Sequence, residues 1–287
     1  MTEPITADKK TPVSVIILTF NEEANIIPCL GSLAWADEII VVDSFSNDAT
    51  LDLAKQARPD VHILRNKFED FGQQRNWALD NTHPKHEWIL FVDADERHTP
   101  GSAEAVAEAI RNPGPNVCFY LTYRNFFLGK WIKHCSLYPS WQLRLLKKGY
   151  VRYEKEGHGQ REVTEGPLGY IKESYDHFGF SKGIHDWIAR HNNYSSHEAE
   201  RILSMRKEPL KLFDLLNADS VKRRRCLKRI ATRVPCRSLV LFLWQYIFRC
   251  GFLDGRAGWI YCGLLFTHRL HISFKLEEKS SKHIQDV

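Results

Sequence analysis

The sequence predicts an α/β fold with a mainly parallel sheet, followed by a smaller antiparallel region and a helical, basic C-terminal region. Apolar β-branched runs alternate with helical segments from residue 13 to residue 111, the pattern of βαβ units with helices on both faces of a sheet. From residue 112, strand-like segments follow one another with few helices between them. From residue 206 the chain becomes basic and aromatic.

Each element of this fold has its own signal. Buried strands are predicted at 13–19, 38–43, 61–64 and 87–93, then at 117–127, 141–146 and 170–177. Asn21 can cap a helix that begins at Glu22, and Thr99 followed by Pro100 is typical of a helix start. Other helices are predicted from Asn47 to about Arg58, over 72–80, and from about 182 to 205. We therefore expect a loose tail at 1–12, a main domain at 13–205 and a helical region at 206–287.

Composition limits the function classes. The 287 residues are 43% hydrophobic and 26% charged, which is usual for a folded globular protein. Seven scattered cysteines without a C-x-x-C pair favour a reduced, cytoplasmic protein over a disulfide framework or a zinc site. No signal peptide and no apolar run of membrane-spanning length is found in the sequence.

Carboxylates follow two of the predicted strands. Asp43 comes after the second strand, and Asp93 and Asp95 come after the fourth. Ligands of open α/β sheets bind at the carboxyl ends of the strands, and two carboxylates on alternate residues can converge on one hard cation such as Mg²⁺ or Mn²⁺. A turn whose acids cap the next helix is the alternative for Asp93-Ala94-Asp95.

Other uses of such a sheet have weaker support. The first strand is not followed by G-x-G-x-x-G, and no G-x-x-x-x-G-K-[ST] occurs, which disfavours dinucleotide oxidoreductases and P-loop NTPases. Gly179-Phe180-Ser181-Lys182-Gly183 matches the G-x-S-x-G nucleophile elbow in letters. Its would-be partners Asp214 and His268 both lie in the basic C-terminal region, so a serine hydrolase is disfavoured.

Four segments together resemble the nucleotide-binding blocks of family 2 glycosyltransferases. They are VSVIILTFNEEANI (13–26), IIVVDSFSNDAT (39–50), FGQQRNWAL (71–79) and ILFVDADE (89–96). WQLRLLKKGYVRY (141–153) and, more loosely, GFLDGRAG (251–258) extend the likeness over most of the chain. The chain is most similar to the bacterial subgroup of lipopolysaccharide core glucosyltransferases and exopolysaccharide glycosyltransferases.

The resemblance implies a GT-A fold, a divalent metal, a nucleotide-sugar donor with UDP favoured, and inversion at the anomeric carbon. It divides the main domain into a nucleotide-sugar half at 13–111 and an acceptor half at 112–205. By position, it implies that Thr19, Asn21 and Glu22 line the nucleotide pocket, that Asp43 holds the base or ribose, that Arg75 contacts the nucleotide, and that Asp93 and Asp95 bind ribose, diphosphate and metal. For Arg75 taken alone, a solvated helix charge is the alternative.

Deprotonation of the acceptor hydroxyl needs a general base, which should come from the antiparallel half. Related sequences commonly show a compact Val-His-Glu here, whereas in this chain His158 and Glu162 lie further apart, within residues 154–162. The candidates are Glu162, then His158, then Glu156, each with a surface role as the alternative. His177, at a strand end, is a candidate third metal ligand. Gln142 and Arg144 share a strand face that could bind diphosphate or acceptor, or be surface polarity.

The C-terminal region combines positive charge with apolar segments. Its basic run consists of Lys222, Arg223, Arg224, Arg225, Lys228, Arg229, Arg233 and Arg237. The apolar, aromatic segments 239–248 and 257–266 follow, and this combination is typical of proteins at anionic membrane surfaces. Nucleic-acid binding, a plain helical cap and a homo-oligomer that buries the apolar faces are the alternatives.

Two functional hypotheses follow from the resemblance and the residues. The first is a metal-dependent, inverting hexosyltransferase at the inner face of the cell membrane, which builds lipopolysaccharide or other cell-surface polysaccharide on a lipid-linked acceptor. No nucleic acid is expected as a partner. The second is a catalytically silent module of the same fold that binds nucleotide sugar or glycan within an assembly.

Overall fold

The chain is divided into two compact units. The structure is a computed structural model that describes residues 10–156, 159–217, 219–234 and 236–285. The first unit runs to Trp131 and continues from Tyr138 to Lys182. The second unit comprises Ile132–Leu137 and the chain from Gly183 onward. The helix predicted at 182–205 thus belongs to the second unit, whereas we expected the boundary at 205.

A nine-stranded mixed sheet forms the first unit. Its strands are β1 (Thr11–Thr19), β2 (Ala36–Asp43), β3 (His62–Arg65), β4 (Trp88–Asp93), β5 (Glu96–Arg97), β6 (Cys118–Phe127), β7 (Lys130–Trp131), β8 (Trp141–Lys147) and β11 (Leu168–His177). The order is β3-β2-β1-β4-β8-β6-β11-β5, with β7 paired to β6. The pairs within β3-β2-β1-β4 are all parallel, whereas β8 is antiparallel to both of its neighbours.

Helices cover both faces of this sheet. They are α1 (Ile26–Ser32), α2 (Thr50–Ala57), α3 (Phe71–Asn81) and α4 (Pro100–Arg111). On one face, Val15 and Ile17 of β1 share a buried cluster with residues of α1, α2 and α4, and on the other Ile16 shares a cluster with Ala78 of α3. This alternation follows from the two-residue period of a strand. The predicted α/β fold with a mainly parallel sheet is confirmed.

A separate hairpin packs beside α3. It consists of β9 (Val151–Glu156) and β10 (Gly159–Thr164). Asn76 of α3 donates to the Tyr153 carbonyl at 2.8 Å and accepts from the Tyr153 amide at 3.0 Å, as a neighbouring strand would. The carboxamide of one helix residue therefore fixes the position of β9.

The second unit is helical. Its helices are α5 (Gly183–Lys207), α6 (Ser220–Ala231), α7 (Arg237–Leu243) and α8 (Gly255–Gln285), with short 3-10 turns at Leu212–Leu216 and Gly251–Asp254 and a π-helical turn at Trp244–Phe248. Ala199 and Ile202 of α5 pack against Ile272 and Leu276 of α8 to form a buried core. The helical C-terminal region is therefore confirmed. No helix of the described chain has both the length and the apolar character to cross a membrane.

Candidate active site

The carboxyl ends of three parallel strands meet at one edge of the sheet. Thr19 pairs with Asp43 across β1 and β2, and Leu18 pairs with Asp93 across β1 and β4. The Thr19 hydroxyl donates to Asp43 Oδ1 at 2.9 Å, and both side chains are buried. The register of the sheet therefore brings together polar residues that lie up to 74 positions apart in the sequence.

The loops after β1 and β2 are tied to each other by hydrogen bonds. Asp43 accepts from the Ser46 amide at 2.9 Å and from its hydroxyl at 2.5 Å. The Asn21 amide donates to Ser46 Oγ at 2.8 Å, and Asn21 Oδ1 accepts from the Asn47 amide at 2.9 Å. Asp43 is 0% exposed, and its carboxylate binds Ser46 of the loop after β2.

The expectation that Asn21 caps a helix starting at Glu22 is wrong. Helix α1 begins at Ile26, and Asn21 has a φ of 53°, a left-handed conformation that asparagine adopts more readily than most residues. Its side-chain oxygen binds the Asn47 amide of the neighbouring loop. Tertiary hydrogen bonds between the two loops thus replace the local cap that the sequence suggested.

Glu22 forms a small charged cluster beside this loop. Lys182 Nζ lies 2.5 Å from Glu22 Oε1, and Asn25 donates to Glu22 Oε2 at 2.7 Å. Burial raises the pKa of Glu22, although the hydrogen bonds from Lys182 and Asn25 oppose this. Ser181 Oγ accepts from Asn25 at 2.8 Å, so the G-x-S-x-G serine belongs to this hydrogen-bonded cluster.

Arg75 reaches the strand ends from α3. Its side chain is 4% exposed and donates to Asp93 Oδ1 at 2.9 Å and to Gln160 Oε1 of β10 at 3.0 Å. The guanidinium lies 5.6 Å from the centre of the Phe91 ring. The alternative of a solvated helix charge is therefore wrong, because burial and two directed hydrogen bonds fix Arg75 at this edge.

Arg144 of β8 approaches the same carboxylate from the other side. Its Nη2 donates to Asp93 Oδ2 at 2.6 Å and also forms an ion pair with Glu96. Both Arg144 and Glu96 are nearly fully buried, and the Asp93 amide donates to Glu96 Oε2 at 2.9 Å. Partial burial alone would raise the pKa of Asp93, but the charges of Arg144 and Arg75 outweigh it and lower that pKa well below its usual value. The surface-polarity alternative for Arg144 is wrong.

Asp95 faces His177 at the same edge. Strand β5 pairs antiparallel with β11 so that His177 lies opposite Glu96, and His177 Nε2 is 3.4 Å from Asp95 Oδ2. His177 Nδ1 lies 2.5 Å from the Asn125 side-chain oxygen, an acceptor, so Nδ1 carries a proton. Burial lowers the pKa of His177, but the Asp95 charge and hydrogen bond more than offset this and raise it overall.

This pair satisfies the simplest requirement for a divalent cation. One carboxylate oxygen and one imidazole nitrogen 3.4 Å apart can both reach an ion placed between them. Mg²⁺ and similar ions commonly take one or two protein ligands, with phosphates and water completing the shell. The described residues contain no group of three His, Cys, Asp or Glu side chains arranged to hold a metal, and both oxygens of Asp93 accept from arginines. The donors that fit are thus Asp95 and His177.

Two of the three candidates for the general base, Glu156 and Glu162, lie on the strands of the β9–β10 hairpin. His158 lies outside the described residues, and Glu156, at the end of β9, is exposed. Glu162 lies on β10 and is hydrogen-bonded to Tyr120, a residue packed on the sheet face that α3 covers. Burial, followed by the Glu162 charge, raises the pKa of Tyr120 to about 12. The structure therefore places Glu162 beside the Tyr120 hydroxyl.

Several residues of this site were missed by sequence reasoning. Glu96 directly follows Asp95, and its place after the D-x-D pair was an available signal. Tyr175, Asn125 and Gln160 had none, because each forms a side-chain hydrogen bond with a site residue that lies at least 31 positions away in the sequence. Tyr175 illustrates this, since its hydroxyl accepts from Arg144 at 3.3 Å and its ring stacks on His98.

Comparison with known proteins finds one matching family and several similar sequences. The sequence model of one family, "Glycosyl transferase family 2", matches residues 14–177. The lipopolysaccharide core biosynthesis glycosyltransferase LpsC of Rhizobium meliloti is 27% identical over 263 residues, which cover 89% of this chain and 90% of LpsC. The poly(ribitol-phosphate) beta-N-acetylglucosaminyltransferase TarS of Staphylococcus aureus is 36% identical over 93 residues, 29% of this chain and 16% of TarS.

A solved structure is similar at lower sequence identity. The mannosyltransferase PcManGT of Pyrobaculum calidifontis, solved with GDP-Man and Mn²⁺, is 14% identical with a TM-score of 0.48, covering 94% of this chain and 88% of that one. The family match includes every strand that contributes to the edge described above, from Thr19 of β1 to His177 of β11. Since it spans more than half of the 287 residues, the chain belongs to glycosyl transferase family 2.

Proposed function

We propose that this family 2 glycosyltransferase is a metal-dependent, inverting hexosyltransferase that moves a sugar from a UDP-sugar to a lipid-linked acceptor in cell-surface polysaccharide or lipopolysaccharide synthesis. The observation that carries the proposal is the facing pair Asp95 and His177 beside Asp93, which two buried arginines hold. The name of LpsC, which aligns over most of both chains, supports the choice of product class.

Asp95 and His177 would hold the divalent cation, Mg²⁺ or Mn²⁺. Such an ion, when bound, offsets the negative charge that grows on a departing nucleoside diphosphate. The sequence predicted Asp93 as a metal ligand. Because both of its carboxylate oxygens accept from Arg75 and Arg144, we propose instead that Asp93 lies beside the cation and holds these two arginines. A carboxylate between two arginines keeps both guanidinium groups at the strand ends, where they attract phosphate.

The remaining donor-site residues would shape the nucleotide pocket. We propose that Asn21 and Glu22 border the nucleotide through the loop that follows β1. Thr19 and Asp43 would support that loop from below, because Asp43 is fully buried and binds Thr19 and Ser46. The position of Arg75 between Asp93 and Gln160 would let it contact the diphosphate side of the nucleotide.

The general base is proposed among Glu156, His158 and Glu162, of which Glu156 ends β9 and Glu162 lies on β10. A matched set of Glu156→Gln, His158→Gln and Glu162→Gln variants would identify it. Loss of acceptor-dependent transfer with retention of slow donor hydrolysis is the expected signature of the base.

The experiment that tests the function is a donor panel with Mn²⁺ present. UDP-glucose, UDP-galactose, UDP-N-acetyl sugars and GDP-mannose are compared, with free nucleoside diphosphate as the readout. Release from one donor that is abolished by chelator supports the transferase and identifies its sugar. Binding of nucleotide sugar without release from any donor, even with membrane lipid extract as acceptor source, would instead favour the catalytically silent module.

Membrane association is the second part of the proposal, and it rests on the exposed surface of the second unit. The large apolar side chains of this surface are Leu239, Val240, Leu243, Trp244, Ile247, Phe248, Phe252, Leu253 and Trp259. Phe248 is 77% exposed, and the Arg249 guanidinium lies 5.9 Å from the Trp244 ring. Isolated exposed apolar residues need no explanation, but nine of them within residues 239–259, together with Arg249 and Arg256, fit an anionic lipid surface.

We expect Ile247→Glu/Phe248→Glu to weaken binding to vesicles of phosphatidylglycerol and phosphatidylethanolamine by at least about 100-fold, since each buried side chain contributes about 1.5–3 kcal/mol. Co-sedimentation measures this. Tyr150→Glu is the control, because it also replaces a large exposed side chain by an acidic one but lies in the first unit. This variant should bind vesicles as the wild type does. A homo-oligomer in vesicle-free solution that the double variant disrupts, with vesicle binding unchanged, would assign this surface to self-association instead.

A further inference from the structure

Three aromatic side chains from neighbouring strands pack together on the sheet of the first unit. Tyr120 of β6 pairs with Tyr170 of β11, and their rings stack with centres 5.6 Å apart and planes inclined by 21°. Trp141 of β8, on the other side of β6, packs edge-on against Tyr170 with ring centres 5.1 Å apart. All three residues belong to the first unit. We call Tyr120, Tyr170 and Trp141 the aromatic row.

The aromatic row is open to solvent. Tyr170 is 58% exposed and Trp141 is 37% exposed, whereas Tyr120 is half-buried and packs against the buried cluster that contains Ala78 of α3. Tyrosine and tryptophan are favoured at binding surfaces because each combines an apolar ring with a polar group. The row therefore offers a ligand apolar ring surface together with polar atoms.

A carboxylate borders the aromatic row. Glu162 of β10 is half-buried and is hydrogen-bonded to Tyr120. Because the pKa of Tyr120 is raised to about 12, the phenol keeps its proton and donates this hydrogen bond. A carboxylate can accept about four hydrogen bonds. Glu162 can thus accept from a hydroxyl group of a ligand as well as from Tyr120.

Strand β10 connects the aromatic row with the strand ends of the candidate active site. Gln160 and Glu162 are alternate residues of β10, so their side chains point to the same side and begin about 7 Å apart. Gln160 Oε1 accepts from Arg75 at 3.0 Å, and Arg75 donates to Asp93 at 2.9 Å. A ligand beside Glu162 would therefore lie two residues along β10 from the contact with Arg75.

The combination of exposed rings and a carboxylate matches the chemistry of a sugar ring. One face of a pyranose exposes C–H groups that pack on aromatic rings, and its edge carries hydroxyl groups that donate to carboxylates. Binding sites commonly combine aromatic walls with a few polar groups that fix the orientation of the ligand. A phosphorylated ligand would be repelled by the charge of Glu162. The surface therefore fits a neutral sugar.

We propose that the aromatic row and Glu162 bind a neutral pyranose residue of the acceptor, with one face of the sugar ring on Tyr170 and Trp141 and a hydroxyl group on Glu162. This inference rests on the proposed transferase function and deepens it, because it names the chemical class of the acceptor residue and the side chains that bind it. Tyr170 and Trp141 become acceptor-binding residues.

Saturation-transfer difference NMR tests this binding without turnover. The probes are methyl β-glucoside, methyl β-galactoside and methyl β-N-acetylglucosaminide, each titrated into the wild type and the variants. For the glycoside that binds best, Tyr170→Ala should raise the Kd by about tenfold or more, the loss expected for one ring contact. Trp141→Ala should raise the Kd by a smaller factor because Trp141 is less exposed. Tyr170→Phe keeps the ring and should retain most of the binding.

The ratio of transfer to donor hydrolysis tests the role of the aromatic row in the reaction. With the octyl glycoside of the same sugar as acceptor, this ratio should fall by about tenfold in Tyr170→Ala, through a higher KM for the acceptor. Tyr150→Ala is the matched control, since it removes an exposed tyrosine from the turn between β8 and β9 of the same unit. The control should change neither the Kd nor the ratio.

Three results would overturn the proposal. They are the absence of saturation transfer to every glycoside, equal Kd values for Tyr170→Ala and Tyr150→Ala, and a homo-oligomer that Tyr170→Ala dissociates while glycoside binding stays unchanged. The last result would assign the aromatic row to self-association. If the wild type releases no nucleotide from any donor, the proposed function fails, and the NMR titration still decides whether the aromatic row binds a pyranose.

Discussion

Replacement of Arg144 by methionine is expected to lower the free energy of unfolding by about 3–5 kcal/mol, the cost of removing one partner of a buried ion pair. The side chain is 4% exposed and lies between Asp93 and Glu96, and Glu96 is itself 3% exposed. Burial already raises the pKa of Glu96 to about 7, and without the guanidinium no cation would compensate a charge on this buried carboxyl. Methionine retains most of the apolar contacts of the arginine stem, so the charge is the main change.

Urea unfolding followed by circular dichroism measures this change in the free energy of unfolding. Two further variants test whether the change comes from the buried ion pair. Arg152→Met removes an exposed arginine from the neighbouring β9, where the ion pair with Asp80 is solvated, and should cost less than about 1 kcal/mol. The double variant Arg144→Met/Glu96→Gln should recover part of the loss because it also removes the uncompensated charge. If Arg144→Met and Arg152→Met prove equally stable, the buried pair does not stabilise this strand edge.

The second large effect is expected on turnover. Asp95→Asn should reduce nucleotide release from the active donor by about 100- to 1,000-fold, the usual loss when one group that stabilises transition-state charge is removed. The change keeps the size of the side chain and its place opposite His177, but it removes the negative charge that a divalent cation needs. We expect the Mn²⁺ concentration for half-maximal activity to rise as well.

Initial rates at several Mn²⁺ concentrations measure both quantities. Asp80→Asn, an exposed aspartate that pairs with Arg152 at the end of α3, is the control and should retain wild-type rates. Titration of Mn²⁺ into the protein with UDP present, followed by electron paramagnetic resonance, separates loss of the ion from loss of chemistry. Near-normal rates of Asp95→Asn, or wild-type rates that chelator does not change, would remove Asp95 from the proposed metal site.

The accuracy of the strand prediction differs between the nucleotide-sugar half (13–111) and the acceptor half (112–205). Strands β1 to β4 were predicted to within about two residues, because buried parallel strands are continuous apolar runs that are recognisable from neighbouring residues alone. The two-residue strand β5 was not predicted. The helix at Asn21 was wrong, because Asn47 of another loop competes for the same side-chain oxygen. A prediction from local sequence propensity does not include hydrogen bonds to residues that are distant in the sequence.

The strands of the acceptor half were predicted less completely. Strands β6, β8 and β11 were predicted, whereas β7, β9 and β10 were not. The neighbours of each strand were not predicted either, since β8 lies between β4 and β6 and β11 returns to pair with β5. These pairings place Arg144 on Asp93 and His177 on Asp95. The base candidates Glu162, His158 and Glu156 stay predictions. Glu162 and Glu156 lie on the β9–β10 hairpin, which Asn76 binds through the Tyr153 backbone, and no spacing in the sequence reveals that role of Asn76.

The sequence by itself determined the fold class, the family and the cluster of acids at the strand ends, because strand periodicity and motif order are properties of consecutive residues. The tertiary structure alone decided the partner of each charged side chain. It places Asp93 between two arginines and Asp95 opposite His177, and it directs the Asp254 carboxylate to the backbone amides of residues 134 and 135. The physical reason is that hydrogen bonds and ion pairs act over about 3 Å, whereas the residues that form them here lie from 18 to 120 positions apart in the chain.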